Sequence, residues 1–171
     1  MSDAATVRED ISKMVEGQTI SSEFLKTVAA HGDLVALRWK DSSDAWHEMT
    51  YSDFADNVAR AAAGLAAQGL GKGDRLLLML RNSPEFHVLD TAALFVGATP
   101  VSIYNSSSPE QIEYLATDAE IKVAVAEDSG FYESISKVRQ NISSLTKLGI
   151  CLLYTSPSPR DATLSRMPSS A

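Results

Sequence analysis

Apolar positions along this chain recur with two different periods, and the switches between them mark its elements. Ser21 and Ser22 precede Phe24, Leu25, Val28 and Ala29, which share one face at helical spacing. Leu34 to Lys40 alternates instead, with Val35, Leu37 and Trp39 set against Ala36, Arg38 and Lys40. With Trp46 to Thr50 across the polar link Asp41 to Ala45, it predicts a β-hairpin. Thr50 and Asp53 then read as a capping box, and Phe54, Val58, Ala61, Ala62 and Leu65 as the apolar face of a helix stopped by Gly69.

From Arg75 onward the pattern changes again. Arg75 to Leu80 is nearly uninterrupted in its apolar character, as expected of a strand covered on both faces. Ser83-Pro84-Glu85 opens a helix that runs to about Phe95 and stops at Gly97, because proline at the first helical position forfeits no hydrogen bond. Thr99 to Ile103 is a short strand, Ser108-Pro109-Glu110-Gln111 starts a helix reaching Asp118, Ile121 to Ala126 is a strand, and Ser129 to about Asn141 a helix. The resulting order of strand, helix, strand, helix, strand, helix predicts an α/β fold with a mostly parallel sheet flanked by helices and preceded by the hairpin.

Beyond Ile150 this grammar ceases. Cys151 to Ala171 carries three prolines and five serines without an amphipathic period, which fits a disordered extension. A second reading comes from the genetic code: Cys151 to Asp161 and Ser165 to Ala171 translate, in one frame, from strings similar to a common transposase-based sequencing adapter, with Ala162 to Leu164 spanning its variable index. Residues 151–171 are on that reading a non-native tail and are set aside from fold reasoning. The expected organisation is a flexible N-terminus over residues 1–20, a partial adenylation domain over 21–150, and the tail.

Composition narrows the function classes. The 171 residues hold 15 basic and 22 acidic side chains, for a formal charge of −7. Without the tail, which carries Arg160, Asp161 and Arg166, the count is 13 basic and 21 acidic, or −8. Such a balance argues against a nucleic-acid footprint. The purely apolar run Leu76 to Leu80, which no other run in the body exceeds, is far short of a bilayer span, and no signal peptide is visible. One cysteine gives no internal disulfide and suits a reducing, cytoplasmic setting.

Candidate chemistry is sparse. Gly69-Leu70-Gly71-Lys72-Gly73-Asp74 invites a phosphate-loop reading, yet the turn leaves a helix and enters a strand, and Gly73 stands where a hydroxyl residue should follow Lys72. His31, His47 and His87 lie 16 and 40 residues apart without ligand-spaced partners. Glu127-Asp128 follows a strand end, where ligands bind in open parallel sheets, but also precedes a helix, where acids cap; the cap is the stronger reading. No catalytic, cofactor-binding or metal-binding residue is assigned.

The stretch MTYSDFADNVARAAAGLAAQGLGKGDRLLLMLRNSPEF, Met49 to Phe86, resembles the first conserved block of the AMP-forming acyl-adenylate ligases. Ala93 to Asp128 resembles the block that follows, and Ile103-Tyr104-Asn105 leading into Ser107 to Ile112 is similar to the long-chain fatty acyl-CoA synthetase branch. The resemblance implies an enzyme that joins a fatty acid to ATP, releases pyrophosphate and passes the acyl group to CoA, with ATP, Mg2+ and CoA as cofactors of the full-length protein. It also implies that the phosphate-gripping loop, the nucleotide contacts and the mobile lid lie further along, so the fragment itself is inactive. Tyr154-Thr155-Ser156 imitates the start of that loop, but Pro157 and Pro159 stand where it needs glycine and backbone N–H donors. Two other readings stay open: a non-enzymatic α/β binding module, and a ligase adenylating another carboxylic acid.

Overall fold

Helix α1, Ala4–Met14, opens the computed structural model, which describes residues 4–151. The pattern supplies no element before Ser21, and the structure differs there. The helix holds itself by local bonds: Lys13 reaches Glu9 at 2.9 Å, and the Ser12 hydroxyl donates to the Arg8 carbonyl at 2.9 Å. Its apolar side chains Val7, Ile11 and Met14 remain exposed.

Helix α2, Ile20–His31, starts slightly earlier than the serine pair suggests. Thr19 is its N-cap, accepting the Ser22 N–H at 3.0 Å, while the Ser22 hydroxyl oxygen accepts the Thr19 N–H at 2.9 Å. Ser22 is thus the returning half of a reciprocal box rather than the cap.

Strands β1, Val35–Lys40, and β2, Trp46–Thr50, form the antiparallel hairpin, with Trp39 opposite His47. Asp41 shapes its turn by accepting from the N–H groups of Ser43 and Ala45 and from the Ser43 hydroxyl. Thr50 ends β2 and caps α3, Tyr51–Ala67, through the expected box with Asp53. Gly69 follows at φ +86°, a left-handed conformation that glycine adopts without steric cost.

Strand β3, Arg75–Met79, is followed by α4, Pro84–Phe95; β4, Thr99–Ser102, by α5, Pro109–Asp118; and β5, Val123–Ala126, by α6, Ser129–Ser136, and a 3-10 turn, Arg139–Asn141. A further strand, β6, Lys147–Ile150, has no counterpart in the sequence pattern. All four strands are parallel, in the order β4-β3-β5-β6. The uninterrupted apolar run of β3 is explained by the two layers it separates. Leu76, Leu78 and Leu80 pack with Phe54, Val58 and Leu65 of α3 and Val88 and Ala92 of α4. Leu77 and Met79 point the other way, to Ile112 and Ala116 of α5 and Ile135 of α6. Central strand β3 therefore belongs to both cores, and all of Leu76 to Met79 is at most 1% exposed.

At the amino end of the sheet, side chains fasten β3 to the approach of β5. Lys122 pairs with Asp74 at 2.8 Å, and Arg75 donates to the Ala119 carbonyl at 2.7 Å and the Glu120 carboxylate at 2.6 Å. Bonded to Lys122 and to the Gly71 N–H, the Asp74 carboxyl is held below the usual carboxylate range.

Candidate functional site

Open parallel sheets bind ligands beyond the carboxyl ends of their strands, so that end is where function would be built. Here β3 delivers Arg81, β4 leads to Tyr104, and β5 delivers Glu127 and Asp128. Arg81, Glu127 and Asp128 converge into a closed polar knot, while Tyr104 stays exposed. Arg81 Nη1 lies 2.9 Å from Glu127 Oε1 and 2.8 Å from Asp128 Oδ2, and the Arg81 backbone N–H donates to the other Glu127 oxygen. The guanidinium stacks over the Phe131 ring at 4.6 Å. Asp128 also caps α6, accepting the Phe131 N–H at 3.0 Å. That hydrogen bond, followed by the one from Arg81, keeps the Asp128 carboxyl below its ordinary range, while Asp128 and then Glu127 push the guanidinium upward.

The expectation that Asp128 serves as a cap is met, and Glu127 takes Arg81 as its partner. The sequence motifs do not single out Arg81. The signal was its place immediately after a buried strand and just before the Ser83-Pro84 helix start, where an arginine can reach only neighbouring strand ends.

The remaining candidates lie apart. Gly69 to Asp74 is a turn between α3 and β3, in which the Asp74 carboxylate accepts the Gly71 N–H at 2.8 Å. A phosphate there would meet a carboxylate already occupying the anion position. His47 pairs with Asp41 at 2.7 Å on the hairpin, His87 faces Asn82 at 3.2 Å on α4, and His31 ends α2. Among the described residues no group of three His, Cys, Asp or Glu side chains could hold a metal ion. Cys151 borders the groove described below, and Tyr154-Thr155-Ser156 lies outside the described residues.

Behind β5 and β6 the structure leaves an apolar groove of 480 Å³, floored by Val123, Val125 and Gly149 and walled by Ala61, Gly64 and Leu65 of α3. Its lining holds neither a carboxylate nor a histidine.

A family model described as AMP-binding enzyme matches residues 24–170. The chain belongs to the AMP-binding enzyme family. It is 37% identical over 125 residues to uncharacterized protein Rv1549 of Mycobacterium tuberculosis, an alignment covering 73% of this chain and 70% of that one. It is 32% identical to long-chain-fatty-acid–CoA ligase ACSBG2 of Xenopus laevis over 74% of this chain, but spans only 17% of that ligase. The solved N-terminal domain of FACL13 from Mycobacterium tuberculosis superposes at a TM-score of 0.71 and 25% identity, covering 78% of this chain and 34% of that one. The parallel sheet with its leading hairpin, which the sequence pattern predicts, matches the N-terminal domain of acyl-CoA ligases, as the resemblance implies.

Fitted against the groups this family uses, the described residues do not make the site. Each carboxylate at the sheet's carboxyl end is already held by Arg81 or by a helix N-terminus, and the glycine turn presents a carboxylate to any phosphate. Neither a nucleotide phosphate nor Mg2+ finds its ligands among them, and the chemistry of the family is not routed through these residues.

Proposed function

We propose that this chain is the opening portion of the adenylation domain of a long-chain fatty acid–CoA ligase, with residues 21–150 as domain and 151–171 as a non-native tail. The whole protein, working with ATP, Mg2+ and CoA in the cytoplasm, would convert a fatty acid and ATP to acyl adenylate and pyrophosphate. It would then transfer the acyl group to the CoA thiol, releasing AMP. The observation that supports the ligase reading is the family match over residues 24–170 together with similarity to a long-chain ligase; because that match reaches into residues 151–170, the non-native tail rests on the adapter-like coding string alone. No helix among the described residues is long and apolar enough to cross a membrane, which is compatible with that setting.

In this reading the residues at hand act as scaffold. The Arg81 knot ties β3 to β5 and fixes the start of α6, so the strand ends form a rigid floor for catalytic groups supplied elsewhere. The 171-residue chain, given ATP and palmitate, should release no pyrophosphate. The product of the source gene, read through codon 150, should form palmitoyl-CoA in a CoA-dependent assay. Pyrophosphate from the short chain would overturn the scaffold assignment, and no acyl-CoA from the long one would overturn the substrate class.

A second reading has one specific observation behind it: this chain spans 70% of Rv1549, so a family relative of comparable length exists. Under that reading the chain is a binding module without ligase activity. It would run as a sharp, concentration-independent species on gel filtration with a cooperative melt, and the source gene would encode the same tail and a stop.

A further inference from the structure

Two aromatic faces of this chain already carry one of its own cations. Lys40 Nζ stands 5.3 Å from the centre of the Trp46 ring, and the Arg81 guanidinium 4.6 Å from that of Phe131. Tyr104 and Tyr114 are furnished differently. They are 85% and 69% exposed, and among the described residues neither ring stacks on another ring or lies under a cation.

Both tyrosines line one cavity of about 490 Å³ between the turn after β4 and the outer face of α5, with Leu115 beside them and Glu110 as its only charged group. Local bonding builds it. The Ser107 N–H donates to the Tyr104 carbonyl at 3.0 Å, closing the turn, and Ser108 caps α5 in a reciprocal box with Gln111. Ile112 and Ala116 anchor the helix from its buried side, which leaves Tyr114 and Leu115 on the open one. The Ser108 hydroxyl donates to Glu110 at 2.7 Å, and that bond holds the Glu110 carboxyl below its ordinary value, so it stays ionised at neutral pH. An adjoining cavity of about 480 Å³ shares Glu110 and Tyr114 and adds Glu113 and Asp118. Among the described residues no lysine, arginine or histidine lines either cavity.

We propose that this cavity is a binding site for a small quaternary ammonium compound, a free choline-type cation seated against the Tyr104 and Tyr114 rings with Glu110 as its counter-charge. An anion is disfavoured, since every charged side chain at the two cavities is a carboxylate. A methylated cation fits better than a bare ammonium. It sheds water readily and gains from the aromatic faces and from Leu115, whereas a bare ammonium is strongly hydrated and one carboxylate replaces little of that water. A lipid headgroup fits worse, because Glu113 and Asp118 would stand against its phosphate. None of these residues has a part in the ligase chemistry proposed above, so the site stands or falls separately from it.

Choline titrated into the 171-residue chain should move the Tyr104 and Tyr114 ring signals together in NMR spectra, with one saturating dissociation constant. Its neutral isostere, in which carbon replaces the quaternary nitrogen, should bind roughly tenfold more weakly, having lost both cation–π contacts and the ion pair. Tyr104→Leu and Tyr114→Leu should each weaken choline about two- to fivefold, while Tyr104→Phe and Tyr114→Phe, which keep the aromatic face, should bind as the parent does. Glu110→Gln should weaken it by a similar factor and flatten its salt dependence. Circular dichroism should be unchanged throughout, since all three side chains are exposed. No saturable shift, equal binding of the isostere, or leucine variants that bind as the parent overturns the proposal and reduces the cavity to an apolar surface. Ammonium chloride that competes as well as choline overturns the methylated class. A chain that binds phosphatidylcholine vesicles through the same tyrosines, and not free choline, overturns the free source in favour of a lipid headgroup.

Discussion

Strands β3 and β6 are neighbours but one in the same sheet, yet they are built on opposite terms. Every residue from Leu76 to Met79 is at most 1% exposed, because helices cover both faces and strands flank both edges. In β6, Lys147 and Ile150 are exposed, Gly149 has no side chain, and only Leu148 reaches a core. The contrast teaches that secondary structure alone does not make an interior strand. Strand β3 is stabilised by burial on two sides, whereas β6 is held mainly by its ladder to β5, with donors and apolar surface left over.

The most disruptive test of this contrast is truncation. Leu76→Ala should cost about 2–5 kcal/mol in chemical denaturation, since it removes buried methyl groups and leaves a cavity between rigid layers. Leu148→Ala, on a strand with one open side that can relax, should cost less than about 2 kcal/mol. Equal losses would mean that β6 is as fully packed as β3 and that its open edge has no energetic meaning.

A smaller effect should come from acid. Asp74 and Asp128, which brace the two ends of β3 against β5, both sit below the ordinary carboxylate value of 3.8 in the folded chain. The unfolded chain therefore takes up protons first as pH falls. The stability these groups add is whole above about pH 4 and drains away as acid carries the folded carboxyls through their lowered pKa. Melting temperatures followed from about pH 6 to about pH 2 should fall less steeply in Asp74→Asn/Asp128→Asn than in the parent. Parallel curves would show that the braces do not couple the strands energetically.

The smallest change is expected at Asp90 of α4. Burial raises its pKa, offset in part by His87, so its charged form is held at a cost near neutral pH. Asp90→Asn should raise the melting temperature slightly at neutral pH. The gain should shrink as pH falls, because protonation relieves the parent of the same penalty. A loss of stability would point to a partner that the carboxylate serves.

Much of this fold is written locally. Thr50, Ser83, Ser108 and Asp128 each cap the helix that their sequence context announces, because a short side-chain oxygen before a helix has few better uses than the first free N–H groups. The run Arg75 to Leu80 identifies a two-sided strand by hydrophobicity alone. Where the local signal is thin, the reading stops short: Ser21 and Ser22 outcompete Thr19 on composition although the reciprocal bond decides for Thr19, and Lys147-Leu148-Gly149-Ile150 carries too little apolar character to declare itself. Strand β6 exists because β5 offers it a ladder from Val123 to Ala126.

The sequence by itself determined the alternation of strands and helices, their caps and the membership of the chain in an adenylating family, since propensity, periodicity and motif act over a few residues. Only the tertiary structure decided the strand order, the meeting of Arg81 with Glu127 and Asp128 across 46 and 47 positions, and which edge of the sheet is left open. These are matters of which surfaces meet, and distant surfaces find one another through burial rather than through spacing along the chain.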